Sequence, residues 1–110
     1  MSLLANELRK LGLDAEDIAG GLVKIADYPV TIGRHRGEKV TIAVSGADFP
    51  FTPPAGVHID APWGADRPNV SVRPPFEPNG RYFSRTLPGW TGKNKIHLLL
   101  AYINKVLGDA

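Results

Sequence analysis

The 110-residue sequence contains no cysteine, a single methionine and no long apolar run. Without a thiol the chain cannot form a disulfide, a thiolate metal site or a thioester. A membrane-spanning helix needs about 20 consecutive apolar residues, and every apolar run here is far shorter. Glu7, Arg9 and Lys10 interrupt the first turns and argue against a secretory signal peptide. We therefore expect a cytoplasmic protein without a membrane partner.

Net charge is also small, because 13 basic and 11 acidic residues leave a balance of +2. The positive excess lies after residue 27, where ten basic side chains accompany six acidic ones. Such a mild bias ranks a small nucleic-acid-binding domain last among the functional hypotheses. The three histidines, His35, His58 and His97, do not have metal-ligand spacing, and we expect neither a metal nor another cofactor.

Helices are predicted at the two ends of the chain, because all ten prolines lie between Pro29 and Pro88. Leucines at helical spacing predict a first helix over about 3–11. Apolar residues at i, i+3, i+4 and i+7 between Ile96 and Leu107 predict an amphipathic last helix, closed by Gly108.

Strands are predicted between these helices from alternating apolar residues. The predicted segments are strands at 22–28, 39–44 and 56–60, a short extended piece at 81–85, a polar connection at 13–21 and an irregular span at 61–79. Since helices and strands are segregated along the chain, the fold class is α+β. We expect one domain over residues 1–110 with an antiparallel meander of three to four strands.

Phe49–Pro54 packs three prolines into six residues. Each proline removes a backbone donor and pushes the residue before it into extended geometry. The segment is therefore predicted to be a stiff, extended crossing without ladder pairing.

The same segment, F-P-F-T-P-P, matches a Y-P-F-x-P-P motif with Phe in place of Tyr. The pair Asn79-Gly80, the run from Gly80 to Arg85, then Trp90 and the last helix follow in order. Together they resemble the ubiquitin-conjugating E2 (UBC) superfamily over about residues 20–107. In particular the chain looks like the divergent prokaryotic E2-like families. The resemblance implies a UBC-like fold, with the last helix packed on the sheet.

One departure from the family pattern bears directly on function. The family's nucleophilic cysteine lies three residues beyond the Asn-Gly glycine, and that position here is Phe83. The family's His-Pro-Asn motif is also missing at its expected spacing. The first hypothesis is therefore a catalytically inert, protein-binding E2-like domain of a bacterial ubiquitin-like conjugation-type system. Its partner would be a ubiquitin-like protein, or an E1-like or protease component.

Candidate binding residues follow from this hypothesis and from side-chain chemistry. Phe49, Phe51, Pro53 and Pro54 belong to the motif that would form a partner surface, although its prolines could equally serve to pack a tight crossing against the core. Trp63 is either an exposed recognition residue or a buried loop anchor, and Trp90 is expected to cap the core. Two basic side chains near Phe83, Arg81 and Arg85, suit an acidic partner or a phosphate, or else belong to a solvated rim.

The second hypothesis is an E2-like enzyme that uses a residue other than cysteine. Ser84 is the hydroxyl beside the altered position, and His97 on the last helix is the candidate base. A serine nucleophile needs such a base within hydrogen-bond reach. Local spacing does not bring the two together, so we favour a non-enzymatic function.

Overall fold

The computed structural model describes residues 2–64, 67–87 and 89–110. Within these ranges the chain forms two helices and six strands. In order they are α1 (Leu3–Lys10), β1 (Asp14–Ile18), β2 (Leu22–Pro29), β3 (Lys39–Ser45), β4 (Gly56–Ile59), β5 (Val70–Ser71), β6 (Arg81–Ser84) and α2 (Lys95–Asp109).

The strands form one sheet in the order β1-β2-β3-β4-β6-β5, and every neighbouring pair is antiparallel. The predicted α+β class is confirmed, with a helix at each end of the chain. The predicted number of three to four strands is wrong, because β1 and β5 extend the sheet at its two edges.

The polar connection predicted at 13–21 contains β1, which pairs with β2 from Asp14↔Ala26 to Ile18↔Leu22. Only Ala15 of this strand is fully buried, whereas Asp14, Glu16 and Asp17 are exposed. A strand with one small buried side chain carries no alternating hydrophobic signal, so sequence reasoning misses it. The irregular span predicted at 61–79 likewise hides β5, which has only two residues.

The core lies on one face of the sheet, between the strands and the two helices. Ile25, Ile42 and Ile59 stand opposite one another across β2, β3 and β4, and Val57 stands opposite Phe83. The helices cover this face with their buried leucine, isoleucine and valine side chains. Because all these residues are buried together, one apolar cluster joins both helices to the sheet.

The helix limits follow ordinary capping rules. The Ser2 hydroxyl accepts a hydrogen bond from the Ala5 amide (3.2 Å) at the start of α1. Gly12, just past the end of α1, has a φ of +86°, which suits glycine. Helix α2 runs through Gly108 to Asp109, two residues beyond Leu107, the last helical residue predicted.

A close backbone approach joins the end of α2 to the connection between β2 and β3. Gly33 has a φ of +88°, and a Cβ on it would overlap the Gly108 carbonyl. Gly37, in the same turn, has a φ of +91°, but a Cβ there would meet no described atom within 4 Å. Alanine at Gly37 therefore introduces only backbone strain at positive φ, whereas alanine at Gly33 adds steric overlap with Gly108.

We predict that Gly37→Ala lowers the free energy of unfolding by about 1–2 kcal/mol, since an L-residue is strained at positive φ. Gly33→Ala should cost about 1–3 kcal/mol more, because its methyl group also meets rigid backbone. Urea denaturation of the two variants measures the difference. Equal losses would show that the contact between Gly33 and Gly108 is looser than described.

Candidate partner-binding surface

Three chain segments meet at one end of the sheet. Strand β3 ends there at Ser45, β4 begins at Gly56, and β6 ends at Ser84. The connections that leave these strand ends hold most of the candidate residues named from sequence. This end of the sheet is therefore where the candidate site lies.

The segment Asp48–Pro54, here called the proline turn, is folded rather than extended. The Asp48 carbonyl accepts hydrogen bonds from the amides of Phe51 (2.7 Å) and Thr52 (3.1 Å). The prediction that this segment takes no part in the sheet is confirmed, but the prediction of an extended crossing is wrong. The local bonds to Asp48 outweigh the extended preference that proline imposes on its predecessor.

Trp90 fastens the proline turn to the body of the protein. Its indole Nε1 donates to the Pro50 carbonyl (2.9 Å), and its ring meets that of Phe49 edge-on at 6.2 Å. Both rings are half-buried and pack against the core, as expected for Trp90. Phe51, in contrast, is 84% exposed at the tip of the turn. The fixed turn thus presents one large apolar side chain to solvent.

A shallow depression of about 330 Å³ continues from the turn toward both helices. Its apolar wall includes Leu3, Phe49, Pro50 and Ile96. The charged side chains at its edge are Glu7, Lys93 and Lys95. Leu3 is itself half exposed, so the depression and Phe51 give this end an apolar surface with a basic edge.

A second depression, the strand-end cleft, lies where β6 leaves the sheet. It measures about 470 Å³, and its lining includes Pro53, Pro54, Asn69, Ser84, Thr86 and Leu87. The Ser84 amide donates to the Asn69 carbonyl and the Arg85 amide to the Ala55 carbonyl, both at 3.0 Å. The sequence-predicted residues Pro53, Pro54, Ser84 and Arg85 are thereby brought together.

The helix cleft lies on the other side of the segment Arg85–Leu87, against α2. It measures about 260 Å³ and includes Leu98, Ala101 and Lys105. The Tyr102 hydroxyl donates to the Arg85 carbonyl (2.9 Å), and burial raises the pKa of Tyr102 to about 12. Tyr102 therefore stays neutral at physiological pH and holds the segment that separates the two clefts.

Phe83, at the position where the sequence resemblance implies a nucleophile, is fully buried. It stands opposite Val57 on the core face of β6, and Gly64 packs directly against its ring. Ser84 points to the other face, because successive side chains alternate along a strand. No residue at position 83 could reach a bound partner from this orientation without a change in the strand.

Ser84 and His97 are not brought together. Ser84 lines the strand-end cleft, whereas His97 lines a separate depression with Thr91, Lys93 and Leu98. Within residues 2–64, 67–87 and 89–110, no hydrogen bond joins the Ser84 hydroxyl to a histidine. The arrangement lacks the nucleophile–base contact that a serine enzyme needs.

The remaining candidate residues have contacts within the chain. Arg81 Nη1 donates to the carbonyls of Pro78 and Asn79 (both 3.2 Å) and of Gly80 (2.9 Å), so it holds the loop before β6. Arg85 forms an ion pair with Asp109 (3.0 Å) beside the helix cleft. Trp63 is half-buried against the core, which favours the loop-anchor interpretation over exposed recognition.

Sequence reasoning missed a row of side chains on the helix-free face of the sheet. There Lys24, Ala43, His58, Tyr82 and Ser71 stand opposite one another from β2 to β5. The His58 and Tyr82 rings lie 4.5 Å apart, and the Arg73 guanidinium lies 4.6 Å from the Tyr82 ring. Burial, and then the charge of Arg73, lower the pKa of His58. The alternation of residues along each strand could have indicated which side chains share this face. It could not have indicated the register with which β5 pairs with β6.

In the described part of the chain, no cluster of three His, Cys, Asp or Glu residues is placed to hold a metal ion. Nor is any of the described helices long and apolar enough to cross a membrane. Comparisons with protein-family models, with curated proteins and with solved structures find no match. The candidate surface therefore has to be interpreted from its own geometry.

We predict that Tyr102→Phe lowers stability by about 1 kcal/mol, because the half-buried Arg85 carbonyl loses its donor. Hydrogen exchange at the Arg85 and Thr86 amides should accelerate, since the segment between the clefts loosens. Tyr28→Phe is the matched control, because its hydroxyl also bonds to α2, at Asn104 (2.7 Å), away from the clefts. Faster exchange at Arg85 in both variants would contradict a local function for Tyr102.

We also predict that acid destabilises the protein through His58. Its pKa is lowered in the folded state, so below the ordinary value of 6.5 the unfolded chain binds the proton first. Stability should fall as the pH drops from about 7 through the folded pKa of His58. His58→Gln should remove this loss of stability on acidification. Arg73→Gln should make the loss smaller, because the charge of Arg73 is the second cause of the lowered His58 pKa. Urea midpoints between pH 7.5 and 5 test both variants.

Proposed function

We propose that this chain is a protein-binding domain with an E2-like arrangement that works without thioester chemistry. The observation that carries the proposal is the complete burial of Phe83 beside two open clefts. The position where the resemblance implies a nucleophile is part of the core, while the surface around it remains accessible. Such a surface suits recognition rather than acyl transfer.

The order of elements supports the E2-like part of the proposal. An N-terminal helix precedes an antiparallel sheet, the proline turn follows β3, and a helix follows Trp90. This is the order that the sequence resemblance implies. Fold likeness does not establish an activity, because function depends on the site.

The proposed partner is a ubiquitin-like protein or an E1-like or protease component of a bacterial conjugation-type system. Phe51 would serve as the apolar anchor, and Leu3 and Phe49 would extend the contact. Lys93, Lys95 and Lys105 favour a partner with acidic side chains around its own apolar patch. The turn behind Phe51 is held by Trp90, so little conformational entropy is lost on binding.

The first test is an NMR titration of the ¹⁵N-labelled protein with ubiquitin-like and E1-like proteins from the source genome. Amide shifts are expected at Phe49, Phe51 and Thr52 of the proline turn, at Arg85–Leu87 and along α2. Shifts confined to the opposite end of the sheet would contradict the proposed surface, and so would the absence of any shift at saturating concentrations.

The anchor is tested with Phe51→Ala, which should weaken binding roughly 10- to 30-fold, as loss of an interface hot spot does. Its 84% exposure means that folding should be unaffected. Leu3→Ala should weaken binding less, and Leu11→Ala at the other end of α1 is the matched control. Leu3 and Leu11 are both about half exposed, but only Leu3 lines the depression beside the turn. An equal effect of both leucine variants would reject this surface.

Incubation with an E1-like protein, ATP and a ubiquitin-like protein tests for remaining covalent chemistry. We expect no adduct. An adduct that survives thiol, is released by hydroxylamine and is absent from Ser84→Ala would replace this proposal with an oxyester-forming enzyme.

A further inference from the structure

A second surface lies at the opposite end of the sheet, where β2 connects to β3. The segment Gly33–Gly37, here called the basic turn, has the sequence G-R-H-R-G. The Val30 amide donates to the Glu38 carbonyl (2.9 Å), the Gly37 amide to the Val30 carbonyl (2.9 Å) and the Glu38 amide to the His35 carbonyl (3.0 Å). These bonds and the contact between Gly33 and Gly108 fix the backbone of the turn.

His35 attaches the basic turn to the loop after β4. Its ring is stacked on that of Trp63 at 3.8 Å with an angle of 5°, and its Nδ1 lies 2.9 Å from a Glu38 carboxylate oxygen. The His35 side chain is only 18% exposed as a result. Trp63 in turn packs against the core. The histidine between the two arginines therefore anchors the turn to Trp63 and, through it, to the core.

Arg34 and Arg36, on either side of His35, are exposed. In the part of the chain that the structure describes, neither forms an ion pair. Arg67 adds a third cation, because its side chain lies beside Gly64, next to Trp63, and its amide donates to the Gly64 carbonyl (3.0 Å). Exposed Lys39 follows at the start of β3.

The arginines elsewhere after residue 67 differ in this respect. Arg73 bonds to the Ser71 hydroxyl and covers the Tyr82 ring, Arg81 binds backbone carbonyls, and Arg85 pairs with Asp109. The carboxylate that follows the basic turn along the chain, that of Glu38, is bonded to His35. Among the arginines after residue 27, those without such a contact in the described structure are thus concentrated at this corner.

We propose that the basic turn, with Arg67 and Lys39, is a docking site for an acidic peptide segment of a partner protein. Guanidinium groups bind carboxylates with two parallel hydrogen bonds, and a fixed turn presents two of them at set positions. Single-stranded nucleic acids are bound through free aromatic faces together with cations. Here His35 occupies one face of Trp63, which reduces the aromatic surface available for base stacking and favours the peptide.

The test uses a fluorescein-labelled Glu₁₀ peptide and fluorescence anisotropy with the full chain at 25 and 150 mM salt. Binding should tighten several-fold at the lower salt concentration, because exposed ion pairs are screened by salt. The double variant Arg34→Gln/Arg36→Gln should weaken binding by about 10-fold or more with an unchanged Tm. Amide shifts caused by the peptide should centre on residues 33–39 and 67.

The matched control is Lys10→Gln/Lys24→Gln, which removes the same net charge from α1 and β2 and should leave peptide affinity unchanged. Equal weakening by both double variants would overturn the proposal, since binding would then follow net charge alone. A labelled dT₂₀ oligonucleotide provides the other arm. If it binds through Arg34 and Arg36 while Glu₁₀ does not, the site takes a phosphodiester and the proposal is wrong.

Discussion

The placement of Tyr82 and Phe83 on β6 is the constraint on which the rest of this structure depends. These adjacent rings lie on opposite faces of the sheet, and glycines make room for both of them. A Cβ on Gly56 would overlap the Tyr82 ring and the Phe83 carbonyl, and one on Gly64 would overlap the Phe83 ring. Close pairing of β4 with β6 therefore requires glycine at position 56, opposite Ser84 and beside the aromatic pair.

The clefts follow from this arrangement. Because Phe83 points into the core, Ser84 faces the other side of the sheet. At this strand end the Asn69 and Ala55 carbonyls accept hydrogen bonds from the amides of Ser84 and Arg85. Tyr102 then holds the Arg85 carbonyl from α2, so the segment beyond β6 stands between two depressions. Burial of Phe83 thus removes this position from the surface and also determines where the two clefts beside it form.

Helices and strands whose apolar residues recur at regular spacing could be predicted from the sequence, and those without such spacing could not. The helix at the end of the chain and β3 were predictable, since their apolar residues recur every three to four or every two positions. Strand β1 was not, because a strand held by backbone bonds at a sheet edge needs few apolar side chains. The proline turn was misjudged for a similar reason, as the bonds to Asp48 depend on carbonyl placement that residue types do not reveal.

Individual residues of the candidate site could be named from the sequence, but which of them lie close together could not. Sequence named Pro53, Pro54 and Ser84 separately, and only the pairing of β4 with β6 places them in one cleft. Arg81 and Arg85 looked equivalent, yet one binds three carbonyls and the other pairs with Asp109. Trp63 was ambiguous because its stacking partner, His35, lies in a distant turn.

The two surfaces are at opposite ends of a small domain, and this affects how strongly one partner could bind. Exposed ion pairs contribute at most about 1 kcal/mol each, so the basic turn alone supports only weak association. The longest dimension of the protein is 35 Å, which an extended chain of about 11 residues can span. A partner with an apolar patch and an acidic tail of that length would make the second contact intramolecular. Two modest contacts would then give an affinity that neither reaches alone.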